Sequence, residues 1–161
     1  MQVKELMTTN PKACTLTDSL AEAASMMWEA DCGILPVVAE GGKVVGLITD
    51  RDICMAAAMK GRQLANIAVE DVISGKAFGC KADDDVRSAL MTMKEKKVRR
   101  LPALADDGTL IGMLSMNDIV LRAEEAKDKR VPELSYGDVV NTYKAICEHQ
   151  LPTITAKAVG V

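Results

Sequence analysis

The sequence predicts an α/β (α+β) fold: two pseudo-symmetric β-α-β-β-α units packed sheet to sheet, followed by a C-terminal helix. Three observations predict it. Shifted by 66 residues, the chain falls on itself without a gap, so that residues 3–57 align with 69–123. Within each copy, apolar runs of strand length alternate with stretches whose apolar residues recur at helical spacing. The composition, 48% hydrophobic and 27% charged over 161 residues, is that of a folded chain.

The repeat rests on 14 identities in 55 aligned positions. Val3 meets Val69, Cys14 meets Cys80 and Asp18 meets Asp84. Ala23 meets Ala89, and Met27 meets Met93. Leu35-Pro36 meets Leu101-Pro102, Gly42 meets Gly108, Gly46 meets Gly112, and Asp52-Ile53 meets Asp118-Ile119. The organisation is a first unit over 3–57, a spacer over 58–68, a second unit over 69–123, and a charged segment with a C-terminal helix and tail over 124–161. About 55 residues bury too little surface to be stable alone. The two units are therefore expected to share one core.

Each unit opens on a short apolar helix (Val3–Met7; Val69–Ile73) and an extended segment through Cys14 or Cys80. Asp18 and Asp84 stand where a helix opens. The apolar positions that follow keep helical spacing: Leu20, Ala23, Ala24 and Met27, then Val86, Ala89, Leu90 and Met93. Strands are predicted at Ile34–Ala39 and Leu101–Ala105, with hairpin-like turns at 40–43 and 106–109. The returning strands, Val44–Ile48 and Leu110–Leu114, are almost wholly apolar and so expected to be buried on both faces. A second helix begins at Thr49 or Ser115. Beyond a charged run over 122–130, residues 135–150 read as a helix with Val139, Val140, Tyr143 and Ile146 on one face, placed to close over the module or pack on a partner. Pro152–Val161 reads as loosely ordered.

Composition also excludes. A net charge of −3 argues against broad binding to nucleic acid, though a local cluster could hold a small anion. Aromatics make up 2% of the chain, too few for an aromatic ligand cage. No apolar stretch is long enough for a membrane span, and none follows the first residues as a secretion signal would, so a cytoplasmic protein is expected. The odd set of five cysteines has no Cys-x-x-Cys pair, which reads as free thiols in a reducing compartment. One histidine, His149, and scattered cysteines give no metal-ligand spacing and no catalytic triad.

One constellation carries chemistry. Both units end a strand with a hydroxyl residue followed three positions later by an aspartate: Gly46-x-x-Thr49-x-x-Asp52 and Gly112-x-x-Ser115-x-x-Asp118. The free N–H groups at a helix start favour an anion. The carboxylate can accept two hydrogen bonds from a vicinal diol, so the set suits a ribose phosphate. A single such motif is also an ordinary capping box. Two copies at equivalent points strengthen the ligand reading, since both roles are compatible. Arg51 precedes Asp52, and Arg99-Arg100 precede the second buried strand. These cations either line a cleft and neutralise phosphate or form a solvated basic helix end.

The doubled pattern, with Leu6-Met7-Thr8 and Leu35-Pro36 and their second copies, resembles a tandem pair of cystathionine-β-synthase (CBS) domains, a Bateman module, over residues 3–123. The chain is similar to stand-alone members of that family, with no length left for a catalytic domain. The resemblance implies two clefts between the units that accept AMP, ADP or ATP, or S-adenosylmethionine or NAD, and pairing into a disc-like homodimer. It implies that Asp52 and Asp118 hold ribose with the hydroxyls of Thr49 and Ser115, and that Arg51, Asn117, Arg99 and Arg100 lie near phosphate. Apolar and backbone contacts to the base are implied near Lys12, Ala13, Phe78 and Gly79, and near Cys32, Ile34, Val98 and Leu101. Asp50, Gly33 and Met116 depart from the pattern, so the two clefts are expected to differ.

The functional expectation is a non-catalytic sensor of an adenosine-containing ligand, acting through an unidentified downstream protein, with no catalytic cofactor and no metal. A second reading is an interaction module with vestigial clefts, docking through Met26, Met27, Met91 and Met93. A third is redox or metal chemistry at Cys14 and Cys80.

Overall fold

The computed structural model describes residues 1–73, 77–125 and 132–148. Residues 126–130 of the charged run, His149 and the tail from Pro152 lie outside the described residues. In the first half, β2 (Cys14–Thr15) runs parallel to β3 (Ile34–Val38), and β3 pairs antiparallel with β4 (Val44–Thr49). In the second half, β5 (Cys80–Lys81), β6 (Arg100–Leu104) and β7 (Leu110–Ser115) repeat that arrangement. Between the strands lie α1 (Leu20–Glu29), α2 (Asp50–Lys60), α3 (Val86–Lys96) and α4 (Met116–Arg122). The β-α-β-β-α order of each unit is as the sequence predicts.

Local chemistry shifts several boundaries. Ser19 rather than Asp18 caps α1, in a capping box with Glu22, and Asp85 rather than Asp84 caps α3. Asp18 and Asp84 instead close the preceding turns, each accepting a backbone N–H three residues back, from Thr15 and Lys81 (2.7 Å each). β4 is not buried on both faces. Gly46 and Ile48 are buried, but Val45, which points to the opposite face, is 39% exposed.

The chain has two cores, not one. Leu20, Leu35, Val37 and Ile48 form the first with Cys14, and Met93, Leu101, Leu114 and Ile119 form the second with Cys80. Each core is completed by the other repeat's opening segment. Val3 is fully buried in the second core and Val69 in the first. The bonds of this exchange are related by the 66-residue offset. Val3 N–H donates to Asp84 O and Lys4 N–H to Ala82 O, as Val69 N–H does to Asp18 O and Glu70 N–H to Leu16 O (2.9–3.0 Å). β1 (Thr8–Thr9) then pairs antiparallel with β7, giving the second sheet the order β1-β7-β6-β5.

This exchange explains Gly46 and Gly112. Neither has a positive φ. A Cβ at Gly112 would stand 2.5 Å from Met7 Sδ, and one at Gly46 3.1 Å from Ile73 Cδ1. The glycines give clearance to equivalent side chains of the exchanged segments. Where the halves meet, Lys43 bridges its own repeat equivalent, Thr109, which places the pseudo-dyad at the hairpin turns.

The C-terminal helix α5 (Tyr136–Cys147) packs on α3 and α4. Leu134 and Val139 join the second core, with Tyr143 and Ile146 packed against it. Val140 is 54% exposed, contrary to expectation, and Thr142 is buried in its stead. Burial of Thr142 is tolerated because its hydroxyl donates to Asp138 O (2.8 Å).

Candidate functional site

Thr49 and Ser115 end β4 and β7 in extended backbone and cap α2 and α4. Asp52 Oδ2 accepts from the Thr49 N–H (2.9 Å) and hydroxyl (2.6 Å). Asp118 Oδ2 accepts the same pair from Ser115 (2.8 and 2.6 Å). Each box uses one carboxylate oxygen and leaves Oδ1 outside it. The same box occurs a third time, outside the repeat, where Ser135 caps α5 with Asp138 (2.8–2.9 Å). The hydroxyl-x-x-Asp signature is therefore a helix start first. What can make it a binding site is the surface opposite.

For Asp118 that surface is present. A cleft of about 260 Å³ places Ser115, Asn117, Asp118 and Arg100 of the second half against Lys12, Cys32, Ile34 and Pro36 of the first. The exchanged β1 delivers Thr8 and Pro11 to the same wall. The cleft offers two cations (Lys12 and Arg100), two carboxylates (Asp31 and Asp118), two hydroxyls (Thr8 and Ser115) and an aliphatic side with no aromatic ring. A second depression of about 550 Å³ lies between the halves. Thr49, Asp50 and Arg51 enter it from one side, and Val98, Arg99 and Asn117 from the other. Ile34, Arg100, Ser115 and Asn117 line both depressions, so the two share a wall.

Electrostatics separates the halves. Asp50 Oδ1 accepts from the Arg51 N–H (2.7 Å), and its Oδ2 would stand 2.7 Å from any Cβ at residue 33. Gly33 and Asp50 are therefore a coupled choice, where the second half has Arg99 and Met116 at the equivalent positions. Arg51, Arg99 and Arg100 give the central depression a positive lining with Asp50 as the one acid among its described residues.

Several sequence-predicted residues lie elsewhere. Asp52 lines neither depression. Ala13 borders a separate hollow along α1 with Ala21, Glu22 and Ser25. Leu101 is fully buried in the second core, so its side chain is closed to a base. A Cβ on Gly79 would lie 2.8 Å from Leu104 Cδ1, against β6 and away from the cleft. Phe78 lies outside both depressions, with the Lys96 ammonium 5.1 Å from its ring centre. Conversely, Thr8, Pro11, Ala30, Asp31, Pro36 and Met113 line the cleft, and Leu47 and Tyr143 the central depression, without a signal in the motif. Thr8 and Pro11 could be found only by knowing that the opening segments are exchanged, and Tyr143 belongs to a helix with no counterpart in the repeat.

Cys14 and Cys80 are buried, and burial pushes both thiols up to about 11, Asp18 and Asp84 adding to the shift. Both are poor nucleophiles in this setting. Among the described residues no group of His, Cys, Asp and Glu is arranged to hold a metal, and no helix is long and apolar enough to cross a membrane.

The family model of the CBS domain matches residues 3–58 and 69–125. The chain belongs to the CBS domain family. It is a tandem CBS pair. It is 31% identical over 141 residues to the uncharacterized protein YlbB of Bacillus subtilis, covering 85% of this chain and 93% of that one. It is 32% identical over 104 residues, 65% of its length, to the uncharacterized protein MK0525 of Methanopyrus kandleri, and spans about half of it (53%). Among solved structures, the CBS pair of protein MJ0100, in complex with 5′-methylthioadenosine and S-adenosylmethionine, is similar with a TM-score of 0.67 and 25% identity, over 75% of this chain and 98% of that one. CBSX2 of Arabidopsis thaliana, in complex with AMP, is similar with a TM-score of 0.65 and 25% identity, over 74% and 93%.

Proposed function

We propose that this CBS pair is a regulatory, non-catalytic module that binds an adenosine-containing ligand (AMP, ADP or ATP, or S-adenosylmethionine or NAD) between its halves. The observation that carries the reading is the convergence of Ser115, Asn117, Asp118 and Arg100 with Lys12, Cys32 and Ile34 in one cleft. Asp118 accepts the ribose hydroxyls, since its Oδ1 lies outside the capping box. The base lies against Ile34, Cys32 and Pro36. Phosphate or another anionic group turns toward Arg100 and, through the shared wall, toward Arg51 and Arg99. The similar proteins solved with AMP, 5′-methylthioadenosine and S-adenosylmethionine support this class of ligand.

Asp118 marks the stronger site. Asp52 marks a weaker one, because Asp50, two residues before it, opposes added negative charge where the second half has Met116. A ligand touching both halves favours one inter-half geometry, which a downstream protein reads. The reading includes a cytoplasmic homodimer and no nucleic-acid partner.

Calorimetry of the full chain with AMP, ATP and S-adenosylmethionine tests it. At least one should bind saturably. Asp118→Ala should weaken that ligand about 10–100-fold, the value of hydrogen bonds to a charged group. Asp52→Ala should act less. Asp138→Ala removes the equivalent capping bonds from α5, at a residue that lines neither depression, and should leave affinity unchanged. Saturable binding by none of the three would end the proposal. Of the docking residues in the rival interaction reading, Met27 and Met93 are buried in the two cores, which leaves Met91 as the exposed one.

A further inference from the structure

The central depression is lined by both repeats and by one residue that belongs to neither. Thr49 and Ser115 are repeat equivalents there, as are Arg51 and Asn117. Tyr143 comes from α5, beyond the second repeat. It is half-buried and packs against the second core. Among the described residues its hydroxyl has no hydrogen-bond partner. A phenol hydroxyl so placed is a donor open to an anion. Three arginines against one acid, Asp50, make the same depression cationic.

α5 is held unevenly along its length. At its start, Leu134 and Val139 are buried in the second core, Ser135 and Asp138 close the capping box, and Arg87 pairs with Asp138 (3.8 Å). Glu124 clasps the same end: its N–H donates to Leu134 O, and its carbonyl accepts from the Tyr136 N–H (3.0 and 3.1 Å). Past Thr142 no residue of α5 is fully buried. Tyr143 and Ile146 are half-buried there, and the exposed Lys97 ammonium donates to Glu148 O (2.6 Å). Lys97 directly precedes Val98, Arg99 and Arg100, which line the depression. The end of α5 thus meets the depression twice, through Tyr143 and through the segment that carries Arg99 and Arg100.

We infer that Tyr143 is a ligand-contacting residue of the central depression, and that its contact makes docking of the end of α5 depend on phosphate bound there. This rests on the reading of the cleft as an adenosine site. With adenosine at Asp118, the shared wall of Arg100, Ser115 and Asn117 leads a phosphate chain into the depression. Arg51, Arg99 and Arg100 supply the opposite charge, and Tyr143 donates its hydroxyl to a phosphate oxygen. The single phosphate of AMP stays near Arg100, whereas the triphosphate of ATP reaches further in. By linkage, the factor by which docked α5 tightens the ligand equals the factor by which the ligand favours docking. The start of α5 takes no part in this. Loss of the Asp138 cap leaves Leu134 and Val139 in the core and the helix docked, so affinity stays the same.

The probes are ATP and AMP with the full chain, read by calorimetry and by amide exchange resolved along α5. Saturating ATP should slow exchange over residues 143–147 about tenfold and leave 136–139 within about twofold, with AMP acting less. Tyr143→Phe keeps the ring on the core and removes only the hydroxyl. It should weaken ATP about tenfold, leave exchange in the ligand-free chain unchanged, and remove most of the slowing by ATP. A merely structural role would give the reverse: faster exchange in ligand-free Tyr143→Phe and intact affinity for ATP. Three results overturn the inference: ATP binding without slower exchange at the end of α5, Tyr143→Phe binding ATP as tightly as the native chain, or ATP failing to bind. The first two leave the adenosine reading standing, as does the third where AMP or S-adenosylmethionine still binds. Binding by none of the three ends both.

Discussion

The exchanged segments make an unusual mutational prediction. Val3 belongs to the first repeat in sequence but is fully buried in the second core, whereas Val69 shows the reverse. Val3→Ala removes two methyl groups from a closed core, with little room to relax. The transfer loss plus the residual cavity comes to about 2 kcal/mol, which raises the open population of that half about 30-fold. Each core carries its own buried thiol as reporter, Cys80 in the second and Cys14 in the first. The assay is alkylation under excess reagent, resolved by peptide mass spectrometry, with exposed Cys54 and Cys147 as references for intrinsic reactivity. Val3→Ala should speed Cys80 labelling about 30-fold while Cys14 stays within about twofold, as expected for separate units. Val69→Ala should do the opposite. Faster labelling of Cys14 in Val3→Ala, with Cys80 spared, would refute the exchange. An equal rise at both thiols would refute the independence of the two cores.

Four further predictions follow from local geometry. Gly112→Ala sets a Cβ against Met7 Sδ, so it should destabilise the protein by about 1 kcal/mol or more in thermal unfolding, and Met7→Ala in the same chain should recover part of the loss. Ser135→Ala removes the cap of α5 and should cost about 1 kcal/mol, seen as faster amide exchange along α5. Acid should loosen the same helix: the Ser135 backbone N–H holds the Asp138 carboxyl below its ordinary 3.8, so its contribution is complete above that pH and fades as pH falls through the lower folded value. At the alkaline end the sign reverses. Cys14 and Cys80 titrate near 11 when folded against an ordinary 9.0, so stability should be level below pH 9 and decline toward 11, and Cys14→Ala should flatten part of that slope in denaturant titrations.

The elements of each unit were legible because two periodicities and a few fixed residues carry them. Leu35-Pro36, Gly46 and Asp52 recur in register, and the apolar spacing of α1 and α3 is helical. The exchange was not legible. Periodicity says that Val3 is buried, but two equivalent cores can accept it, and the pattern is silent on which. The same ambiguity hid the single-core error. In α5, hydropathy favours Val140 over Thr142, yet a threonine whose hydroxyl is satisfied within the helix can be buried. The site was legible as a motif and not as a cleft. Asp52 and Asp118 have identical local patterns and nearly identical capping distances. They differ in their surroundings by residue type: the first half has Gly33 and Asp50 where the second has Arg99 and Met116.

The reciprocal bonds of Val3 and Val69 also bear on how such a chain could arise. A polypeptide with one repeat could satisfy these contacts only by trading its opening segment with a second molecule, as a swapped homodimer does. Duplication and fusion place both partners in one chain, at an effective concentration set by a short connection. The second segment then has no partner to find by diffusion, and the two copies become free to diverge. Gly33 with Asp50, opposed to Arg99 with Met116, and α5 packed on one half alone, are differences that a strict homodimer could not hold.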